Sequence, residues 1–333
     1  MLLNLDVPPT LVSMDSASTT TSDEMLSVRA AELYYEDVKT QDEIGSLLGI
    51  TRWKVGRLLA QARQQGIIRI EIVHPRARRL PLERELRQRF GLSDAVVVPM
   101  PAEASTLQLR VAEAAADYLQ ALRPVPGILG VSWGRTLDDI GASLPDGWAR
   151  GVDVVQINGG VSLNKRASTA ATTAVTIARR GGGHATLLPS PAILERRETR
   201  LAIEADRTVA GVLELAASAS AYLYSAGVAD SSSVLVDSGY LSPDDVEELV
   251  RKGAVGDVVG RYIDANGNIV DPGLDERTVG IGLDQLRSAT TSIAVISGEA
   301  KHHVARAVAR SALCTVLVTD EETALAVLEE GRP

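Results

Sequence analysis

TQDEIGSLLGITRWKVGRLLAQARQQG, residues 40–66, places two short helical patterns on either side of a single glycine turn. Thr40 stands where a helix cap is needed, and Glu43 three residues on completes a capping-box pattern. This first helix ends near Leu48, where Gly49 supplies the left-handed conformation that stops a helix. Thr51 caps a second helix from Arg52 to about Gln65, closed by Gly66. Ile44, Leu48, Ile50, Val55 and Leu58 recur at spacings that turn them toward one core. Gly45 is small where the two helices must approach closely. Upstream, EMLSVRAAELYYE (24–36) predicts a further helix through Met25, Val28, Ala31, Leu33 and Tyr35. Downstream, GIIRIEIV (66–73) alternates Ile68, Ile70 and Ile72 at period two, which predicts a strand.

Three helices and a strand in this order resemble a winged helix-turn-helix, with the helix after Thr51 as its recognition helix. Its first turn carries Thr51, Arg52, Trp53, Lys54 and Arg57 outward. Arg and Lys can donate to guanine acceptors and Thr can touch a thymine methyl. Helix N-terminal amides and Arg57 would hold phosphates. Thr40, Thr51, Arg52, Trp53, Lys54 and Arg57 are therefore the candidate DNA contacts. The charge distribution agrees. Between Thr40 and Leu80 stand eight cations and three anions, a local +5 in a chain of net charge -9 that leaves -14 elsewhere. A basic island on an acidic chain suits one polyanion-binding module. The competing reading is a three-helix module for protein contacts. Trp53 either wedges against the sugar-phosphate or packs under the wing.

Residues 1–23, rich in Ser and Thr, read as a disordered tail without the basic and apolar regions of a signal peptide. No apolar run approaches the roughly 18 residues of a membrane span. Cys314 is the one cysteine, so no disulfide framework or thiolate metal cluster is expected, and a reducing cytoplasm is the natural home. His74, His184, His302 and His303 form no metal pattern, and no cofactor is assigned. After the helix-turn-helix segment at 24–73, residues 74–92 open on a basic cluster. From Pro81 they predict a helix with Leu82, Leu86 and Phe90 at spacing four. That stripe suits a pairing helix between subunits, or a solvated linker packed on its own domain.

From Ser93 to Pro333 strands and helices alternate, beginning with DAVVVP, GILGVSW and VDVVQINGG. The expected fold is α/β, an open, mostly parallel, doubly wound sheet with helices on both faces. DVVGRYID is read as one strand, and NGN at 266–268 as a hairpin inside the sheet. Ligands in such sheets bind beyond the carboxyl ends of strands. Ser132, Gly134, Arg135 and Thr136 end one strand and open a helix, an anion cradle or simply a cap. At 156–160, Asn158 can bond a hydroxyl, and Gly159 and Gly160 let a ligand approach the backbone. Asp257 follows Gly256 at a third exit, as a ligand contact or a cap. Lys301 lies at a fourth, as a phosphate contact, a partner for Asp257 or a solvated cation. GVSWGRT lacks the P-loop and dinucleotide patterns, so no nucleotide is expected. Four polar exits together suggest a cleft for a small, hydroxyl-rich ligand.

QDEIGSLLGITRWKVGRLL, GVSWGRTL, VVQINGG, GAVGDVVGRYID, RTVGIGLDQLR and ISGEAKHHVARAV follow one another in an order that resembles the SorC family of bacterial sugar-responsive transcription regulators. The likeness runs from about Met25 to Glu330. It implies a large domain similar to glucosamine-6-phosphate deaminase and ribose-5-phosphate isomerase, binding sugars, polyols or sugar phosphates as inducers. It also implies dimers or tetramers on palindromic operators. By the same resemblance Ser132, Gly134, Arg135 and Thr136 fall on the loop that holds the ligand's phosphate or terminal hydroxyls. Asp257 and Lys301 fall on a ligand-binding acid and lysine, and Asn158 joins them. Trp133 and Arg135 stand where phosphate-specific members carry more Thr and Gly, as in members associated with polyols. The rival reading is a sugar-phosphate isomerase or deaminase carrying a DNA-binding module, with Asp257 as base; it lacks a second carboxylate at a matching strand exit, Glu299 excepted. The reading preferred is a regulator and not an enzyme.

Overall fold

The computed structural model describes residues 16–68, 78–160 and 170–329. The chain divides into two compact units, Met1–His74 and Pro75–Pro333. The first contains α1 (Ser16–Tyr35), α2 (Gln41–Leu48) and α3 (Arg52–Gln64). α1 begins eight residues before the 24 expected from periodicity, because nothing in SASTTTSD forbids helix once a downstream face is packed. Of the expected strand at 66–73, residues 66–68 form no strand and 69–73 lie outside the described residues; of the expected disordered tail at 1–23, residues 16–23 are helical and 1–15 lie outside them.

The helix-turn-helix segment closes by local chemistry. The Thr40 hydroxyl accepts from the Glu43 N–H, and the Glu43 carboxylate accepts from the Thr40 N–H at 2.8 Å. Gly49 turns the chain with φ 64°. Thr51 Oγ1 accepts from the Lys54 N–H at 3.2 Å. A Cβ on Gly45 would stand 2.8 Å from the Ile50 carbonyl oxygen, so the turn can close over this position only as glycine. Ala30, Leu33, Ile44, Val55, Leu58 and Leu59 are buried together beneath the three helices.

The second unit begins with α4 (Leu80–Phe90). Its strands are β1 (Asp94–Val98), β2 (Ile128–Val131), β3 (Asp153–Gln156), β4 (Ala185–Thr186), β5 (Ala221–Tyr224), β6 (Ala226–Gly227), β7 (Gly256–Val258), β8 (Arg261–Ile263), β9 (Ser292–Val295) and β10 (Val316–Asp320). Its further helices are α5 (Leu107–Ala121), α6 (Arg135–Ser143), α7 (Ala170–Arg180), α8 (Arg197–Glu204), α9 (Arg207–Ala217), α10 (Val234–Asp237), α11 (Pro243–Arg251), α12 (Pro272–Asp275), α13 (Leu283–Ser288), α14 (His302–Arg310) and α15 (Glu321–Leu328). Seven strands form one parallel sheet in the order β1-β10-β9-β5-β2-β3-β4. Period-two alternation sorts each strand's residues onto two faces. Val96, Leu129, Leu223 and Val318 join a core with α5, α6 and α7, while Val97, Tyr222, Ala294 and Leu317 join another with α9, α14 and α15.

Two expectations are corrected here. DVVGRYID is a hairpin rather than one strand. β7 pairs antiparallel with β8 on one side and with β6 on the other in a separate three-stranded sheet, and the NGN turn follows β8 outside the main sheet. The turn residues Val259 (φ 49°) and Gly260 (φ 85°) are both left-handed, as a two-residue hairpin loop demands. The helix at 80–90 does not present a free pairing stripe. Leu86 is fully buried, and Leu82 and Phe90 pack against the sheet core of their own unit.

The segment before that helix explains why. β1 is an edge strand, and its outer backbone groups need partners. The Glu83 carboxylate accepts from the Val97 N–H at 2.9 Å and from Arg78 Nε and Nη2 at 2.7 and 2.9 Å. Arg78 also donates to the Ala95 carbonyl, and the Arg79 N–H donates to the Val97 carbonyl. Arg79 pairs with Glu321 at 2.9 Å. Two cations of the basic island are thus spent on sealing a sheet edge.

Candidate functional site

The strand order reverses direction at β2. From β2 the chain proceeds outward through β3 and β4, then returns to β5 on β2's other side and continues to β9 and β10. A crevice is expected beyond the carboxyl ends of the two strands flanking such a switch point. A cavity of about 380 Å³ opens there. Its walls include the residues after β2 (Ser132–Thr136), after β5 (Ser225–Val228), after β9 (Ser297–Lys301) and Asn158 after β3. The volume falls in the usual range for a small-molecule site.

Of the eight residues expected here, seven line the cavity: Ser132, Gly134, Arg135, Thr136, Asn158, Asp257 and Lys301. Gly159 is corrected. Its missing side chain faces protein, since a Cβ would stand 2.2 Å from the Pro191 carbonyl oxygen. Its own carbonyl accepts the Trp133 indole N–H at 2.8 Å. Gly159 therefore lets two loops meet and fixes Trp133, whose polar end is thereby occupied. Gly134, at φ 129°, turns β2 into α6 and sets Arg135 at the helix start.

Asp257 arrives differently from the expectation. It is not at an exit of the main sheet but inside β7, opposite Gly227 of β6, which continues from β5 through Ser225. A Cβ on residue 227 would stand 1.9 Å from Asp257 Oδ1, so this carboxylate occupies the room glycine leaves. Asp257 Oδ2 accepts from the Gly260 N–H at 3.0 Å. Val259, a β-branched residue held left-handed in the same turn, also lines the cavity. Such a conformation costs on the order of 1–3 kcal/mol and persists only where surroundings impose it.

Burial pushes the Asp257 carboxyl up to about 6, against the Gly260 hydrogen bond and the charge of Lys301, which lower it. Burial brings Lys301 down to about 8, with Arg135 adding to the depression and Asp257 opposing it. Lys301 Nζ also lies 3.4 Å from Ser225 Oγ. The loop bearing Lys301 is fixed by fully buried Asp320, whose carboxylate accepts from the Gly298 N–H at 2.8 Å and from Thr323. Asn158 is 2% exposed and its Oδ1 has no partner. A buried acceptor without a donor costs free energy unless a ligand supplies one. Ser132, Thr136, Ser225, Ser232, Ser233 and Ser297 add hydroxyls, and Glu299 adds a second carboxylate.

Asp257 also yields a pH prediction. A carboxyl raised from 3.8 to about 6 destabilises the folded chain above that range, not below it. The penalty is absent under pH 4, grows between 4 and 6, and is complete above 6. Asp257→Asn should therefore match the ligand-free wild type at pH 4 and exceed its stability by about 1–2 kcal/mol at pH 7. Urea unfolding of both proteins at the two pH values checks this; equal stability at pH 7 would contradict it.

In the first unit Thr51, Arg52, Trp53, Lys54 and Arg57 gather at the start of α3, while Thr40 caps α2. Trp53 is 89% exposed, Arg57 is exposed, and Arg52 lies 3.5 Å from exposed Asp42. Lys54 is half-buried, and the Thr40 and Thr51 hydroxyls serve as helix caps. Sequence reasoning missed Ser225, Gly227, Val259, Ser232 and Asp320. The hydroxyl run DSSS at 230–233 was a visible signal; the others depend on strand pairing.

Among the described residues no group of three His, Cys, Asp or Glu side chains could hold a metal, and no helix is long and apolar enough to cross a membrane.

Comparison with known proteins gives the family. A family model described as a sugar-binding domain matches residues 74–329. The chain is 30% identical to the deoxyribonucleoside regulator of Bacillus subtilis, over 92% of this chain and 98% of that protein. It is 28% identical to the erythritol catabolism regulatory protein EryD of Brucella abortus, over 94% and 98%. The crystal structure of the full-length sorbitol operon regulator SorC from Klebsiella pneumoniae superposes with a TM-score of 0.70 at 30% identity, covering 92% of this chain and 98% of that one. The chain belongs to the SorC family of sugar-binding transcriptional regulators.

Proposed function

We propose that this protein regulates a carbohydrate or polyol operon, its affinity for operator DNA set by a free or phosphorylated sugar or polyol bound at the β2/β5 switch point. The observation that carries the effector half is the cavity itself. It holds a carboxyl and a lysine, both kept in the crevice at a cost, and a buried amide oxygen with no donor. A polyhydroxylated ligand satisfies all three: its hydroxyls donate to Asn158 and Asp257 and accept from Lys301. An anionic end would also relieve the repulsion between Arg135 and Lys301. The DNA half rests on the exposed, cationic start of α3 behind two well-made helix caps. The relatives are named as regulators, and the site is read as a sensor rather than a catalyst.

Two copies or more would present paired recognition helices to successive major grooves. The ligand must bind one arrangement of the copies better than the other, or it shifts nothing. The full-length protein should bind the promoter DNA beside its own gene at moderate salt in preference to random duplex. A panel of polyols and sugar phosphates should contain a compound that raises its melting temperature and changes operator affinity at least about tenfold, the scale of ordinary allosteric coupling. Equal binding to random DNA would refute the operator reading. A panel without effect on melting or affinity would refute the effector reading, and turnover of ribose-5-phosphate or glucosamine-6-phosphate at enzyme-like rates would refute the sensor-only view.

A further inference from the structure

The outward face of α3 has a contour that the DNA-binding reading does not by itself explain. Trp53 stands 89% exposed in the first turn. Beside it, three residues on, is Gly56, and a further turn brings Ala60. The large indole is thus followed along its own stripe by the two smallest side chains. Trp53 and Gly56 line a notch with Gln41 of α2, Arg52 and Arg57.

Gly56 sits in the middle of a 13-residue helix, where glycine is less favourable than alanine by about 1 kcal/mol. Packing does not demand it. A Cβ there would meet only the end of the flexible Gln41 side chain, with Oε1 at 3.3 Å. The helix forgoes stability to keep the notch open on its solvent side.

We propose that this notch receives the C5 methyl of a thymine in the major groove, with the Trp53 indole as its apolar wall. The inference rests on the operator-binding reading above. The first turn of a recognition helix is the part that reaches base edges. Of the groups displayed in the major groove, the thymine methyl is the apolar one. The broad apolar face of the indole is the surface that suits that methyl. Arg52 and Arg57 on either side supply the positive charge that brings the phosphate backbone to this face. Trp53 is then a specificity residue, and Gly56 a positioning residue that keeps the space clear.

The probe is the duplex that the full-length wild-type protein selects from a random library, resynthesised with one thymine at a time replaced by uracil. This removes the methyl and nothing else. Wild type should lose about three- to fivefold in affinity at one thymine of each half-site, the worth of one buried methyl. Trp53→Ala should bind the thymine duplex more weakly and show no difference between thymine and uracil there. Gly56→Ala should melt higher yet lose the same discrimination. The proposal is overturned if no thymine is sensitive, if Trp53→Ala keeps the wild-type sensitivity, or if it weakens random duplex as much as the selected one. Failure to enrich any duplex would instead remove the operator reading, and this inference with it.

Discussion

A Lys301→Met variant should lose effector affinity by at least about 30-fold while its operator affinity stays within about twofold. Truncating one member of a desolvated, charged contact typically costs 2–5 kcal/mol or more. Lys301 is the cation deepest in the crevice, held at about 8 by burial and by the neighbouring charge of Arg135. The same variant should melt higher than wild type in the absence of effector. A lysine lowered from 10.5 carries its full penalty below pH 8, and loses it as pH rises from 8 toward 10.5. At pH 7 the penalty is present, and methionine removes it. Asp257, deprived of its cation, then takes up a proton rather than remaining a lone buried charge. A gain of about 1–2 kcal/mol is expected, or roughly 2–6 °C in melting temperature. Titration calorimetry with the active panel compound, operator binding and differential scanning calorimetry check the three parts. An unchanged effector response would remove Lys301 from the site. A fall in melting temperature would mean that its charge is already compensated without ligand.

Glu83→Ala should destabilise the large unit by about 2–4 kcal/mol. Removing one partner from a buried ion pair typically costs 3–5 kcal/mol; Arg78 remains 41% exposed while Glu83 is 5% exposed, which discounts the upper end. The loss is not electrostatic alone. Alanine leaves the Val97 N–H on the outer edge of β1 without its acceptor and frees Arg78 from the Ala95 carbonyl. In calorimetry the melting transition should fall by about 4–12 °C. Glu83→Gln, which keeps an acceptor for Val97, should lose less. A change under about 0.5 kcal/mol for Glu83→Ala would show that the edge does not depend on this seal. The result also bears on the reading of 80–90 as a subunit-pairing helix. Its one apolar stripe lies against its own sheet, so loss of Glu83 should act on folding at any protein concentration.

What could be read along the chain follows from how local each interaction is. The capping box at Thr40, the turn at Gly49 and the cap at Thr51 bind residues three to five apart, and their chemistry is written in the residues themselves. The same holds for the alternation of strands with helices, and for Ser132, Gly134, Arg135 and Thr136 after β2, because a strand exit followed by a helix start is a local pattern. Lys301 was legible in the same way, and the resemblance to a family supported both it and Asp257. Tertiary structure alone decided the rest. Gly159 looked like an approach for ligand, yet a segment some thirty residues later, Pro191–Ala192, takes that space. Arg78 and Arg79 counted toward a DNA-binding charge until Glu83 and Glu321 claimed them at the edge of a strand whose exposure no local pattern reveals. Asp257 reaches the crevice only because β6 continues from β5 and pairs with β7. Strand order and register are contacts between segments far apart in sequence. Their free energy comes from burying two faces of one sheet at once, and no single stretch of residues contains it.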